Sequence, residues 1–230
     1  MSNGNNMAAP EDKQSGIPVD SNDQYRNRIG IFGGTFNPIH MGHLIIAEKA
    51  CKHHLLSKII FMPAYIPPHK YVDDLAETQH RYQMIKTAIS GISKFEVSDL
   101  EIIREGKSYT IDTIQEILNQ YGEDVEIFLI MGADSLNELE LWKDIKKLSL
   151  LCRFMIVNRP GFKTEVSARL VEIIGSTSIL DLEQLRIEIS PVDISSTNIR
   201  KRVNNGAEIK GLVPECVEAY IKEHGLYSST

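Results

Sequence analysis

The sequence is poor in the signals that mark several common protein classes. Among 230 residues it holds three cysteines, Cys51, Cys152 and Cys216. They are odd in number, far apart and form no Cys-x-x-Cys pair, which argues against a disulfide framework or a cysteine-based zinc knuckle. No apolar run reaches the ~18 residues of a membrane-spanning helix, and the N-terminus carries no apolar signal core. Positive charge is in deficit: 25 Lys+Arg against 31 Asp+Glu leave a net charge of −6, so a globally basic nucleic-acid binder is not expected. With 42% hydrophobic and 24% charged residues, the chain has the profile of a folded globular protein. A reduced, cytoplasmic setting with no membrane or nucleic-acid partner is the expectation.

Residues 1–27, rich in Asn, Ser, Asp, Gly and Pro and without periodicity, read as a flexible polar leader. They lack the Arg bias of a transit sequence. Residues 28–230 read as one domain. Short apolar runs at 29–32, 59–62, 95–100, 125–131, 152–157 and 186–189 are strand candidates. Helical spacing joins Leu44, Ala47, Ala50 and Cys51, then Tyr82/Ile85/Ile89, Ile111/Ile114/Leu118/Tyr121 and Val166/Leu170/Ile173. A last helix carries Val217/Tyr220/Ile221 after Pro214. Tyr82 and Tyr121 lie on these apolar stripes and are expected in the core. Several strand runs are continuously apolar, as in parallel strands covered on both faces. The chain is therefore expected to be α/β: a doubly wound, Rossmann-like, mostly parallel sheet with helices on both faces. Its ligand crevice would lie at the carboxyl ends of the strands.

Between the first strand and first helix stands Gly33-Gly34-Thr35-Phe36-Asn37-Pro38-Ile39-His40-Met41-Gly42-His43. It is neither the GxGxxG of dinucleotide enzymes nor a P-loop, since no Gly-Lys-Ser/Thr follows. Two glycines at a strand end allow a tight turn and a close approach of backbone to ligand. His40 and His43, three apart at a helix start, can face one ligand where the helix dipole adds positive potential. A pair of core or surface imidazoles, or a zinc pair, would use the same residues. No Cys, Asp or third His is obviously placed to complete a zinc site, so phosphate is the favoured ligand.

Far downstream, Ile194-Ser195-Ser196-Thr197-Asn198-Ile199-Arg200 reads either as a capped helix with a solvated basic face or as an anion site. In the anion reading, hydroxyls and free N–H groups stand at the helix start and Arg200 lies one turn in. Met131-Gly132-Ala133-Asp134 follows the most apolar strand. Asp134 can cap a helix there, or accept hydrogen bonds from ribose hydroxyls. Ser108-Tyr109-Thr110 precedes a helix expected from about Asp112 and also fits a cap. Trp142, the single tryptophan, is on helical spacing an ordinary core residue. Lys70 sits in the turn-prone Pro67-Pro68-His69-Lys70, and Arg159 in the turn Asn158-Arg159-Pro160-Gly161. His53 and His54 close the first helix, where positive charge suits the dipole.

Gly-Gly-Thr-Phe-Asn-Pro…His-x-Gly-His resembles the signature of the HxGH nucleotidyltransferases, and closely that of the bacterial nicotinate-nucleotide adenylyltransferases. The segments ISSTxIR and SYTxDT follow the family's pattern, and the resemblance spans about residues 28–226. It implies an enzyme that transfers the adenylyl group of ATP to nicotinate mononucleotide, giving nicotinate adenine dinucleotide and pyrophosphate in NAD biosynthesis. It further implies that His40, His43 and Arg200 carry the catalytic charge. ATP would be held by Gly33, Gly34, Thr35, Phe36, His40 and His43, by Ile194, Ser195, Ser196, Thr197 and Arg200, and at its adenosine end by Gly132 and Asp134. The mononucleotide would meet Thr35, Asn37, Lys70 and Arg159, with Tyr109 and Thr110 reading the nicotinate carboxylate and Trp142 stacking on the pyridine ring. Mg²⁺ would arrive mainly on the ATP phosphates, with no metal ligands dedicated by the protein. A homo-oligomer is left open.

Other acceptors remain within the same chemistry: nicotinamide mononucleotide, phosphopantetheine or a cytidylyl acceptor. A nucleotide sensor without turnover is a reading from another class, weakened by the retention of His40, His43 and Arg200. A nucleic-acid-binding module would need more than the short basic run Arg200-Lys201-Arg202.

Overall fold

In the computed structural model the described residues are 27–68, 74–122, 124–158, 166–188 and 194–228. Residues 1–26, with nearly all of the expected leader, lie outside them, as do Lys70 and Arg159. The sheet has six strands: β1 (Arg28–Gly34), β2 (Lys58–Pro63), β3 (Phe95–Val97), β4 (Glu126–Gly132), β5 (Arg153–Asn158) and β6 (Ile187–Glu188). Their order is β3-β2-β1-β4-β5-β6, and every neighbouring pair is parallel. In register, Ile31 stands opposite Ile60 on one side and Leu129 on the other.

The continuously apolar strands are explained by the two layers they feed. Along β1 and β2, successive side chains point to opposite faces. Phe32, Ile59 and Phe61 join one core cluster, while Ile29, Ile31, Ile60 and Met62 join the other. The first cluster is closed by α1 (Met41–His53), α2 (Thr78–Ala88), α8 (Ser196–Asn204) and α9 (Glu215–Glu223). The second is closed by α4 (Thr110–Tyr121), α6 (Ile145–Leu151) and α7 (Ala168–Gln184). Two short helices, α3 (Leu100–Arg104) and α5 (Ala133–Leu136), complete the set with a 3₁₀ turn at Leu139–Leu141.

The chain moves outward from β1 through β2 to β3, then returns to place β4 on the other side of β1. This reversal opens a crevice at the carboxyl ends of β1 and β4, the position where doubly wound sheets bind ligands. Gly33-Gly34 and Gly132 stand at those two strand ends. Among the described residues, no helix is long and apolar enough to cross a membrane.

The third strand is shorter than expected: it ends at Val97, and Leu100 begins α3 instead. The fourth helix starts at Thr110 rather than near Asp112. Tyr121 corrects a core expectation. It is 40% exposed, and its hydroxyl accepts a hydrogen bond from Lys58 Nζ at 2.9 Å. It is the last residue of α4, beyond the buried positions Ile111, Ile114 and Ile117. Tyr82 is only half-buried.

Candidate active site

The glycine turn and the first helix build one half of the site. His40 is the buried N-cap of α1, and His43 occupies its third helical position. The two rings stack with centroids 3.6 Å apart and planes 20° from parallel. His43 Nδ1 accepts from the His40 main-chain N–H at 3.2 Å. That bond assigns the ring proton of neutral His43 to Nε2. Phe36 and Phe32 meet the same ring edge-on, with centroids 5.0 and 5.9 Å away. Gly42 packs closely between the histidines: a Cβ there would lie 3.0 Å from the His40 ring, which would have to give way slightly.

The two phosphate-type motifs, far apart in sequence, are bonded to each other. Ser196 Oγ donates to the Pro38 carbonyl at 2.9 Å, and Arg200 NH1 donates to the Asn37 carbonyl at 2.9 Å. Ser195 caps α8, its hydroxyl accepting from Asn198 N at 3.2 Å. The local cap and the long-range pairing are thus both present, and Thr197 is exposed at the same helix start. The Ile194 carbonyl lies beside Gly42.

A cavity of about 200 Å³ adjoins this half. Gly33, Gly34 and Thr35 form one wall, Tyr109 and Thr110 a second, and Gly132, Ser135 and Trp142 a third. Trp142 is half-buried against the second core cluster with part of its surface facing the cavity, so it serves packing and lining together. Lys143 Nζ lies 4.8 Å from the Tyr109 ring centroid and 2.9 Å from Asp112 Oδ2. The Ser108 hydroxyl accepts from Tyr65 N at 2.9 Å, which ties the Ser108-Tyr109-Thr110 segment to the loop after β2. The cavity thus combines an aromatic wall, hydroxyls and the open end of α4, a lining suited to a planar ring with a polar substituent.

Two other expected residues, Asn37 and Asp134, are not among those lining the cavity. Asn37 is 2% exposed and does not line the cavity; its side chain is held by protein partners. Asp134 is exposed at the start of α5, beside Gly132. Among the described residues, no group of three or more His, Cys, Asp or Glu is arranged to hold a metal ion.

Three residues of this region escaped the sequence reading. Arg81 is fully buried, yet its guanidinium donates to the carbonyls of Thr35, Ala64 and Ala76, more weakly to Tyr65, and to Thr78 Oγ1. Burial lowers its pKa to about 10, still far above neutrality, so it sits charged behind the glycine turn. Its signal was available: Arg81 lies three and four residues before the buried Met84 and Ile85, on the same face of α2. Glu101, buried in the cavity lining, accepts from Thr113 Oγ1 at 2.6 Å. Burial raises its pKa, opposed by the Thr113 and Ser108 hydroxyls and by Arg104. Tyr227, near the end of the chain, donates to Asn37 Oδ1 at 2.8 Å. Nothing local in the sequence marks it.

Comparison with known proteins agrees with this architecture. The cytidylyltransferase-like family model matches residues 31–202. The protein named "Probable nicotinate-nucleotide adenylyltransferase" of Moorella thermoacetica is 44% identical over 201 residues, covering 87% of this chain and 91% of that one. The protein of the same name from Thermoanaerobacter sp. is 41% identical over 204 residues, with 87% and 94% coverage. In fold, the chain matches Plasmodium falciparum nicotinic acid mononucleotide adenylyltransferase, solved with NaAD, at a TM-score of 0.67 and 23% identity, covering 87% of this chain and 97% of that one. The chain belongs to the cytidylyltransferase-like nucleotidyltransferases and, within them, to the nicotinate-nucleotide adenylyltransferases.

Proposed function

We propose that this protein transfers the adenylyl group of ATP to nicotinate mononucleotide, releasing pyrophosphate, with His40, His43 and Arg200 stabilising the charge that develops on the phosphates. The observation that carries the assignment of residues is the direct bonding of Arg200 and Ser196 to the Asn37-Pro38 turn, beside a cavity that shares Gly33–Thr35. Donors from two distant motifs thereby converge where a triphosphate would lie, next to a wall fit for the pyridine ring. No protein nucleophile is needed. A phosphate oxygen of the mononucleotide attacks the α-phosphorus in line, the bond to the β-phosphate oxygen breaks, and pyrophosphate leaves. The protein's part is positioning and electrostatic stabilisation.

ATP enters as its Mg²⁺ complex. The donors at the phosphate half are imidazoles and a guanidinium, a set that suits anionic oxygens and not a hard dication. Gly132 and Asp134 are assigned to the adenosine end. Trp142 is assigned to the pyridine ring, and Thr110 with the N–H groups at the start of α4 to the nicotinate carboxylate. The reaction belongs in the cytoplasm, in keeping with three free thiols.

The test is pyrophosphate release with Mg-ATP and either nicotinate or nicotinamide mononucleotide. A strong preference for nicotinate supports the whole reading. Equal rates keep the adenylyl transfer and remove the carboxylate role of Thr110. No release with either mononucleotide overturns it.

A further inference from the structure

Asn37 is engaged at each of its side-chain polar atoms. Nδ2 donates to the Asp74 carbonyl at 3.0 Å, and Oδ1 accepts from Ala76 N at 3.1 Å and from Tyr227 OH at 2.8 Å. Its own carbonyl accepts from Arg200 NH1. Three non-glycine residues with left-handed backbone surround this one side chain: Phe36 at φ +48°, Asp74 at +62° and Tyr227 at +64°. Such conformations are unfavourable for L-residues and persist where the surroundings impose them, typically at functional sites. Phe36 precedes Asn37, and Asp74 and Tyr227 bond to it directly, so three of the six non-glycine positive-φ positions among the described residues meet at Asn37.

Tyr227 comes from the far end of the chain, 190 residues away. It is packed against the first core cluster along with Leu226. Burial pushes the phenol pKa up against the opposing pull of Arg200 and Arg81, so the hydroxyl stays protonated and serves as a donor.

We infer that Tyr227 is a positioning residue for adenylyl transfer: its hydroxyl holds the Asn37 side chain, and the Asn37 carbonyl in turn aims the Arg200 guanidinium at the phosphates. A guanidinium has five N–H donors in a fixed fork. With one spent on the Asn37 carbonyl, the fork's orientation is set and the remaining donors are left for phosphate oxygens. Tyr227 itself needs no contact with substrate. This role rests on the phosphate assignment of Arg200 made above.

The experiment is a double-mutant cycle on kcat and KM with Mg-ATP and nicotinate mononucleotide, using wild type, Tyr227→Phe, Arg200→Ala and the double variant. Tyr227→Phe keeps the ring and removes the donor. It is expected to lower kcat about 10-fold, as small misplacements of a charge-stabilising group do, with KM for the mononucleotide unchanged. In the Arg200→Ala background it should produce no further loss, because its effect passes through Arg200. An unchanged kcat in Tyr227→Phe, with Arg200→Ala impaired, overturns the positioning role and leaves the site assignment standing. Equal losses in both backgrounds also overturn it, since a general packing defect is additive. An undiminished Arg200→Ala overturns both. If Tyr227→Phe does not fold, a chain ending at Leu226 replaces it in the cycle, and failure of both to fold makes the residue structural and overturns the inference.

Discussion

His40 and His43 stack face to face at 3.6 Å while the main-chain N–H of His40 donates to Nδ1 of His43. Parallel imidazoles this close resist carrying two positive charges unless an anion accompanies them. The second motif brings Arg200 to the same turn, and the N-terminus of α1 places the positive end of its dipole there. Positive potential is therefore gathered before any substrate binds, which is the preorganisation that phosphoryl chemistry uses.

Replacing His43 tests that arrangement directly. His43→Ala should lower kcat roughly 10²-fold or more, the size expected from losing one preorganised donor to a transition-state oxygen. Its half-buried ring is flanked by Phe32 and Phe36, so the variant is also expected to lose some stability. Steady-state kinetics well below the variant's own unfolding midpoint separate the two effects. A folded variant with the wild-type rate removes His43 from the chemistry.

Trp142 has a different signature. Its ring is shared between the second core cluster and the cavity wall. Trp142→Ala should raise KM for nicotinate mononucleotide about 10-fold, consistent with the ~1–3 kcal/mol of stacking an aromatic wall supplies to a ring. KM for ATP should move little. Initial-rate kinetics with each substrate varied in turn decide it. If only the unfolding midpoint changes, Trp142 is a packing residue.

Much of this was readable before the structure. The strands at Ile31, Phe61 and Leu129 announced themselves because both faces of a parallel sheet are covered, so each run is apolar without alternation. The glycine turn and the Ser195–Arg200 segment were legible as local chemistry. Their contact was not, because the hydrogen bond from Arg200 to Asn37 joins residues 163 positions apart and depends on tertiary folding. Asn37 was read as a mononucleotide contact; its bracing of the turn from inside was not legible, since the partners of its amide come from two distant segments, at Asp74–Ala76 and at Tyr227. Tyr121 was misjudged because helical spacing gives a face and not its depth: the stripe at Ile111, Ile114 and Ile117 is buried, and its last residue is not.

His54 gives a pH dependence with a definite sign. Burial holds its pKa below the ordinary 6.5, aided by His53, Arg153 and Arg28, and Nε2 is buried without a hydrogen-bond partner among the described residues. The folded state therefore binds fewer protons at this position than the unfolded chain. Its contribution is fully present above pH 6.5 and is lost progressively as pH falls through the lowered folded value. The unfolding midpoint of the wild type, followed from pH 7.5 to 5, should decline. His54→Phe, which keeps a ring against Phe128, should show a shallower decline. Identical slopes would mean that the ring takes up its proton without penalty in the folded protein.

Arg81 is the severest structural test, because its charge is fully buried and its donors serve four carbonyls and one hydroxyl. Those bonds join the turn at Thr35, the loop after β2 at Ala64 and Tyr65, and the lead-in to α2 at Ala76 with its first residue, Thr78. Removing the guanidinium orphans several buried acceptors at ~1–3 kcal/mol each, so Arg81→Met should destabilise the protein by at least about 3 kcal/mol in urea titration. Arg81→Lys restores the charge but not the fork, since three rotatable donors cannot reach five acceptors. It should fold, recover part of the lost stability, and retain reduced kcat because the Thr35 carbonyl is no longer fixed. Full recovery of both stability and rate by lysine would show that charge alone, and not the planar geometry of the guanidinium, holds the glycine turn in place.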